Sequence, residues 1–345
     1  MKGKKDIRKL KKEELQKFLI ENGYAVFRQK QIDHWLWKKH VDTFEKMNNI
    51  PKQIIDSLTC SFDLRHVSIA NEQKSKDGTI KYKIRLSDNE FIESVIIPSK
   101  DRLTACISSQ VGCSLACKFC ATGLLNLKRN LDYTEIYDQV YILNNECKKM
   151  FGKILTNIVF MGMGEPLLNY KNVLEAISII TSKKGLEMSP KRITVSTSGI
   201  SKMIRKLGDD DVKFNLAISL HASKNNKRTE LMPINKSIPL EDLKNSINYF
   251  FNKTGIRPTY EYILIANVND SIEDAYNLVK FCSETPCKIN LIEYNSVEGL
   301  DYTKSNQKTV KDFIKVLERN NLIVNLRKSR GKDIDAACGQ LINKM

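Results

Sequence analysis

From residue 103 onward, short apolar runs alternate with amphipathic stretches, and this alternation constrains the fold more than any other feature. Strand-like runs fall at 103–108, 157–161, 192–197, 214–220, 259–264 and 288–294, with a further one at 322–326. Between them apolar residues recur at helical spacing, for example over 133–148, 170–180, 240–251 and 271–282. Strand–helix–strand repetition implies parallel strands joined by right-handed crossovers. Six such units suit a partial (β/α)6 barrel. A doubly wound sheet satisfies the same periodicity. Either architecture gathers ligands at the carboxyl ends of its strands. The polar motifs fall there: the loop from Cys113, Gly164-Glu165, Ser196, Ser219-Leu220-His221 and Asn295.

The chain before the alternation divides in two. Residues 11–57 read as helices, with Leu15, Phe18 and Leu19 on one apolar stripe and Ile32, Trp35 and Leu36 on another. Trp35 and Trp37 could stack on a base, but Trp35 lies on the stripe and is expected in the core. Pro51 opens a third helix carrying Ile54, Ile55 and Leu58. Residues 67–97 then alternate as strands, with turns at Ser75-Lys76-Asp77-Gly78 and Asp88-Asn89. The expected organisation is a helical accessory domain over 1–60, a β-rich extension over 61–100, and a barrel over 101–345 that includes a cysteine-bearing C-terminal segment.

Cys113, Cys117 and Cys120 stand in a C-x3-C-x2-C spacing. Three close thiolates can hold three corners of a [4Fe-4S] cluster and leave the fourth iron open for a substrate. About forty residues on, Phe160-Met161-Gly162-Met163-Gly164-Glu165-Pro166 reads as a buried strand running into a glycine turn. Glycine there lets the backbone approach a ligand closely. This ordered pair resembles the radical S-adenosylmethionine (SAM) enzymes. In those, the open iron chelates SAM and a similar turn holds the SAM amino group. A zinc knuckle explains the cysteines alone but gives no reason for the glycine–glutamate turn.

Lysine plus arginine exceed aspartate plus glutamate by 56 − 40 = 16. Such an excess attracts nucleic-acid phosphates without regard to sequence. Basic clusters occur over 2–12, at Lys38-Lys39 and over 327–332. A lysine-rich solvated surface would look the same. No run of eighteen apolar residues suggests a membrane span. The basic start Met1-Lys2-Gly3-Lys4-Lys5 lacks a following apolar region, so no secretory signal is expected. Nine cysteines in such a chain suit metal and redox chemistry in the cytoplasm better than a disulfide framework.

Several segments sharpen the resemblance: 27–32, 92–98, 106–113, 160–170, 194–199, 219–222 and 333–341. Together they resemble the RlmN family of radical SAM enzymes across nearly the whole chain. That resemblance implies methylation of adenosine carbon-2 in 23S ribosomal RNA, at the peptidyl transferase centre, and in transfer RNA next to the anticodon. It implies a [4Fe-4S] cluster, two SAM molecules per turnover, and an electron donor such as flavodoxin or ferredoxin. A monomer is expected.

Carbon-2 of adenine is electron-poor, so it cannot simply attack a SAM methyl; a radical route is needed and the cofactor carries it. By resemblance, Cys338 takes a methyl from one SAM, and the activated methyl then links Cys338 to carbon-2. Glu93 removes the carbon-2 proton. Cys106 attacks the Cys338 sulfur and frees the product, leaving a transient disulfide. Gly164, Glu165, Ser196, Ser219, Leu220, His221 and Asn295 line the SAM pocket by the same resemblance. Taken singly, Cys106 reads as a packed strand residue, Glu93 as a surface carboxylate and His221 as a satisfied polar group. Cys60, Cys147, Cys282 and Cys287 match nothing and read as structural. The sister Cfr family, which methylates carbon-8, typically has alanine where this chain has Pro166. A zinc-stabilised RNA-binding protein without enzymatic activity is the distant alternative.

Overall fold

A computed structural model describes residues 4–342. Near the N-terminus, strand β1 (Lys5–Asp6) is followed by helices α1 (Lys12–Glu21), α2 (Arg28–Asp33) and α3 (Lys52–Ser61) and by strand β2 (Phe62–Asp63), which pairs with β1 in parallel. The apolar stripes dictate how the helices pack. Leu15, Leu19, Ile32, Leu36, Ile54, Ile55 and Leu58 are buried, and Phe18 packs edge-on against Phe62.

One expectation fails here. Trp37, not Trp35, is the core tryptophan. Residues His34–Lys39 wind as a wider π-helical turn, and the extra residue per turn shifts the helical phase. Trp37 is buried and its carbonyl accepts from the Tyr137 hydroxyl at 2.7 Å. Trp35 is half-buried and donates to Asn49 Oδ1 at 2.6 Å.

The β-rich segment forms β3 (Ser68–Lys74), β4 (Ile80–Arg85) and β5 (Phe91–Ser99), an antiparallel meander turning where the sequence marks turns. It is not a separate sheet. β5 pairs antiparallel with β6 (Arg102–Cys106), the first barrel strand. A short ribbon, β7 (Gln110–Val111) with β8 (Arg129–Asn130), closes the cysteine loop. The barrel then runs through α4 (Tyr133–Phe151), β9 (Asn157–Phe160), α5 (Tyr170–Thr181), β10 (Ile193–Thr197), α6 (Ser201–Asp209), β11 (Asn215–Ser219), α7 (Asn225–Leu231) and α8 (Leu240–Thr254). It ends with β12 (Thr259–Leu264), α9 (Ile272–Cys282), β13 (Lys288–Glu293), α10 (Gln307–Arg319) and β14 (Ile323–Arg327).

Ten strands make one sheet in the order β14-β13-β12-β11-β10-β9-β6-β5-β4-β3. Every parallel crossover moves the same way, so there is no reversal of strand order. A doubly wound sheet requires that reversal, which leaves the partial barrel with its antiparallel extension.

The helices begin and end where local chemistry places them. Asp132 caps α4, accepting from the Thr134 and Glu135 amides at 3.0 Å each, and Gly152 ends that helix in the left-handed conformation. One continuous apolar core includes Ile7, Leu19 and Leu58 of the N-terminal helices together with Ile136, Ile158, Leu216 and Phe313 of the barrel. Across the same boundary, Asp138 of α4 faces Arg8, His40 and His66. No helix among the described residues is long and apolar enough to cross a membrane.

Candidate active site

The carboxyl ends of β9 through β13 open onto one cavity. It is lined by Cys113, Cys117 and Cys120 on one side and by Gly162, Gly164, Glu165, Ser196, Ser198, Ser219, His221 and Glu261 around the rim. Cys338 and Gly339 of the C-terminal segment complete the wall. Residues separated by more than two hundred positions therefore meet in one place. The segments are also tied directly to each other. The Ala121 amide donates to the Gly339 carbonyl at 2.7 Å, and Thr122 Oγ1 donates to the Leu341 carbonyl at 2.6 Å.

The three cysteines share the loop between the β7–β8 arms. Burial pushes the Cys113 thiol up to about 11 and raises Cys117 and Cys120 as well. Crowded thiols that resist ionisation alone are suited to a cationic metal, which offsets the desolvation cost of each thiolate. Three cysteines lining one cavity are the donor set that an iron–sulfur cluster takes.

The glycine–glutamate turn beside it is built for close approach. Gly164 has φ +96°, and a Cβ there would sit 2.4 Å from Gln110 Cβ. Gln110 Oε1 accepts the Glu165 amide at 2.8 Å. The Glu165 carboxylate accepts from the Leu167 amide at 3.0 Å and the Ser198 amide at 2.7 Å. Burial raises its pKa, with the Ser198 bond opposing. The carboxylate thus bridges the loops after β9 and β10 and presents itself to the cavity.

His221 lines the cavity with its ring fixed in place. Its Nδ1 accepts the Ile263 amide at 3.1 Å, its ring meets Phe119 edge-on, and burial depresses its pKa to about 3. Ser196 and Ser219 line the cavity with their hydroxyl oxygens 3.5 Å apart. Two expected wall residues are placed differently. The Leu220 side chain is fully buried in the main core and does not line the cavity; its carbonyl accepts Arg228 Nε at 3.2 Å. Asn295 does not line this cavity either; its Nδ2 donates to the Cys338 carbonyl at 3.3 Å.

Cys106, at the end of β6, is buried against a smaller cavity that it shares with Arg327 and Cys338. Cys338 lines both cavities and stands between them. Burial drives the Cys106 thiol up to about 12, and it raises Cys338 while Arg327 opposes. Glu93 is not a surface carboxylate: it is fully buried. Its Oε2 accepts the Ile342 amide at 2.8 Å, just past the cysteine segment.

Three further residues of the site were not expected from the sequence. Glu261 lies in the cavity with its carboxylate held by Asn290 at 2.8 Å and by Arg327 at 3.3 Å. Its signal is a lone acid inside the apolar run of β12. Arg327 reads in the sequence as one member of a basic surface cluster. Arg228, fully buried, donates to the Ser198 carbonyl at 2.7 Å and pins the loops after β10 and β11; nothing in its local sequence marks it.

Comparison with known proteins agrees with this geometry. Residues 107–279 match the radical SAM superfamily, and residues 5–62 match the N-terminal domain of ribosomal RNA large subunit methyltransferases. A probable dual-specificity RNA methyltransferase RlmN from Christiangramia forsetii is 52% identical over 99% of this chain and 97% of its own. The chain belongs to the RlmN family. An RlmN relative from Acholeplasma laidlawii is 41% identical over 95% of this chain and 96% of its own. The crystal structure of a radical SAM methyltransferase from Sphaerobacter thermophilus superposes with a TM-score of 0.91 at 35% identity, covering 98% of this chain and 99% of that one. RlmN membership makes the chain a radical SAM RNA methyltransferase, and the superfamily implies SAM and a [4Fe-4S] cluster.

Proposed function

We propose that this enzyme methylates carbon-2 of adenosine in 23S ribosomal RNA and in transfer RNA through a methylated Cys338. One observation carries the reading: Cys338 stands between two cavities, one lined by the three-cysteine loop and the glycine–glutamate turn, the other by Cys106. A four-iron cluster with SAM at its open position supplies the one-electron chemistry that activates a methyl C–H bond.

The protein residues do the rest. Cys113, Cys117 and Cys120 hold the cluster. Gly164, Glu165, Ser196 and Ser219 orient SAM, and Asn295 sets the backbone of the Cys338 segment. Cys338 receives a methyl from one SAM as a thiolate, with Arg327 countering the burial that disfavours ionisation. Activation of that methyl would consume a second SAM, which takes one of its hydrogen atoms, and the remaining methylene would bridge Cys338 Sγ and carbon-2. Glu93 takes the carbon-2 proton. Cys106 attacks the Cys338 sulfur, and a transient disulfide replaces the link to RNA. A low-potential electron carrier such as flavodoxin or ferredoxin supplies the electrons, and the enzyme works as a cytoplasmic monomer. The accessory helices hold folded RNA through phosphates and shape.

Mass spectrometry of nucleosides from a deletion strain tests the reading. Loss of 2-methyladenosine from both RNA classes is expected. Loss of 8-methyladenosine instead would move the enzyme to the Cfr chemistry, and no change in either would refute methylation altogether.

A further inference from the structure

β4 and β5 carry a buried ion pair whose lysine has no role in the methyl-transfer steps above. Lys81 is 2% exposed and Glu93 is fully buried. Lys81 pairs across the sheet with Val95, and Val95 pairs with Cys106. Directly opposed residues share a face, and so do residues two apart on one strand. Lys81, Glu93 and Cys106 therefore project from the same face of the sheet. Lys81 Nζ lies 3.4 Å from Glu93 Oε1 and 3.4 Å from the Asp335 carbonyl. Glu93 Oε2 accepts the Ile342 amide at 2.8 Å, and Ser108 Oγ donates to the Glu93 carbonyl at 2.6 Å. Lys81 and Glu93 thus grip the two ends of the segment whose middle is Cys338.

The pair has an unusual feature. Among the described residues, Glu93 Oε1 is buried and has no hydrogen-bond partner. A buried carboxylate oxygen is normally satisfied, and a buried ion pair with poor geometry is a weak source of stability. The Lys81 ammonium beside Glu93 fixes the carboxylate without filling the free lone pair on Oε1.

We propose that Lys81 is a positioning residue that holds the Glu93 carboxylate by charge pairing and leaves its Oε1 open to accept the carbon-2 proton of the RNA-linked intermediate. The proposal rests on Glu93 being the base. In this step the carbon-2–hydrogen bond breaks, its electron pair stays with the adenine adduct, and the proton ends on Glu93 Oε1. Lys81 transfers nothing.

The test uses full-length, cluster-reconstituted enzyme with an RNA substrate. Three readouts are compared: methylation of Cys338 by intact-protein mass, covalent protein–RNA complex on a denaturing gel, and turnover. Lys81→Met should methylate Cys338 normally, accumulate the covalent complex, and turn over about 100-fold more slowly, as loss of general-base function does. Lys81→Arg, which keeps the charge, should restore turnover to within about tenfold. Glu93→Gln should stall at the same complex, and the double variant should be no slower than the slower single variant.

If Glu93→Gln does not accumulate the complex, the assignment of Glu93 as base fails, and the proposal fails with it. If Glu93→Gln stalls while Lys81→Met turns over normally, only the role of Lys81 is overturned. If Lys81→Met loses Cys338 methylation or fails to fold, Lys81→Gln decides, because it keeps a donor for the Asp335 carbonyl without the charge. Stalling of Lys81→Gln at the complex supports the proposal. Normal turnover, or the same early loss, shows that Lys81 only holds the segment.

Discussion

Asp138→Asn removes one negative charge from the seam between the accessory helices and the barrel. Asp138 lies on α4 with no exposure to solvent. Its Oδ1 is 2.6 Å from Arg8 Nη1 and 2.7 Å from His40 Nε2, and its Oδ2 is 3.6 Å from His66 Nδ1. Burial pushes the carboxyl up, but Arg8 and the two histidines outweigh it and hold it well below the ordinary carboxylate range. Removing one partner of a buried pair costs about 3–5 kcal/mol, because the other charge is left uncompensated. Asp6 remains 3.2 Å from Arg8, so the lower end, about 3 kcal/mol, is expected.

Urea unfolding followed by tryptophan fluorescence reads this directly, since both tryptophans, Trp35 and Trp37, lie in the accessory helices. With a slope of about 1–3 kcal/mol per molar urea, the midpoint should fall by roughly 1–3 M. Asp42→Asn, which breaks an exposed pair with Lys46, should cost less than about 1 kcal/mol. Acid has a matching signature. Burial lowers the pKa of His40, so its contribution is present above about pH 6.5 and is lost as pH falls. Asp138, also lowered, contributes above about pH 4 and loses that contribution below it. The wild type should therefore weaken on acidification from about pH 6.5 and more steeply below about pH 4, and the variant should lack the steeper part. A shift under about 1 kcal/mol at neutral pH would refute the reasoning, showing that the desolvation of Asp138 cancels what Arg8 returns.

Replacing Cys113, Cys117 or Cys120 singly with Ala should bleach the visible absorption of anaerobically reconstituted protein, whereas Cys338→Ala should leave it; retained iron in any of the three would remove that residue from the ligand set. Gly164→Ala places a Cβ against Gln110 at a strained φ of +96°, so SAM affinity should fall at least about tenfold by calorimetry while RNA affinity holds. Lys12→Glu, Lys30→Glu and Lys39→Glu, all at exposed positions of the accessory helices, should together weaken RNA binding and lower its salt slope by about one for each phosphate no longer neutralised. Deleting those helices is not an equivalent test, because Ile7, Leu15 and Leu19 share the core of the barrel. Cys106→Ala should methylate Cys338 and then accumulate a ribonuclease-sensitive covalent complex; normal turnover would make Cys106 a packing residue.

The order of elements was legible in the residues alone, because strand and helix periodicities are local and each run carries its own period. The sequence also marked the cysteine loop and the glycine–glutamate turn, where spacing within a few residues defines the chemistry. The register of Trp35 and Trp37 was beyond it, since a π turn is a small local change that only the packed neighbours select. Barrel versus doubly wound sheet was likewise open, because strand order is set by how crossovers stack and not by any one segment. The tertiary structure alone brought Cys106, Glu93, Glu261, Arg327 and Cys338 to one end of the sheet, buried Arg228 between two loops, and set Lys81 beside Glu93. A lysine and a glutamate on alternating strands look like surface residues in isolation. Only the C-terminal segment folding back over them removes the water and turns two ordinary charges into a buried pair.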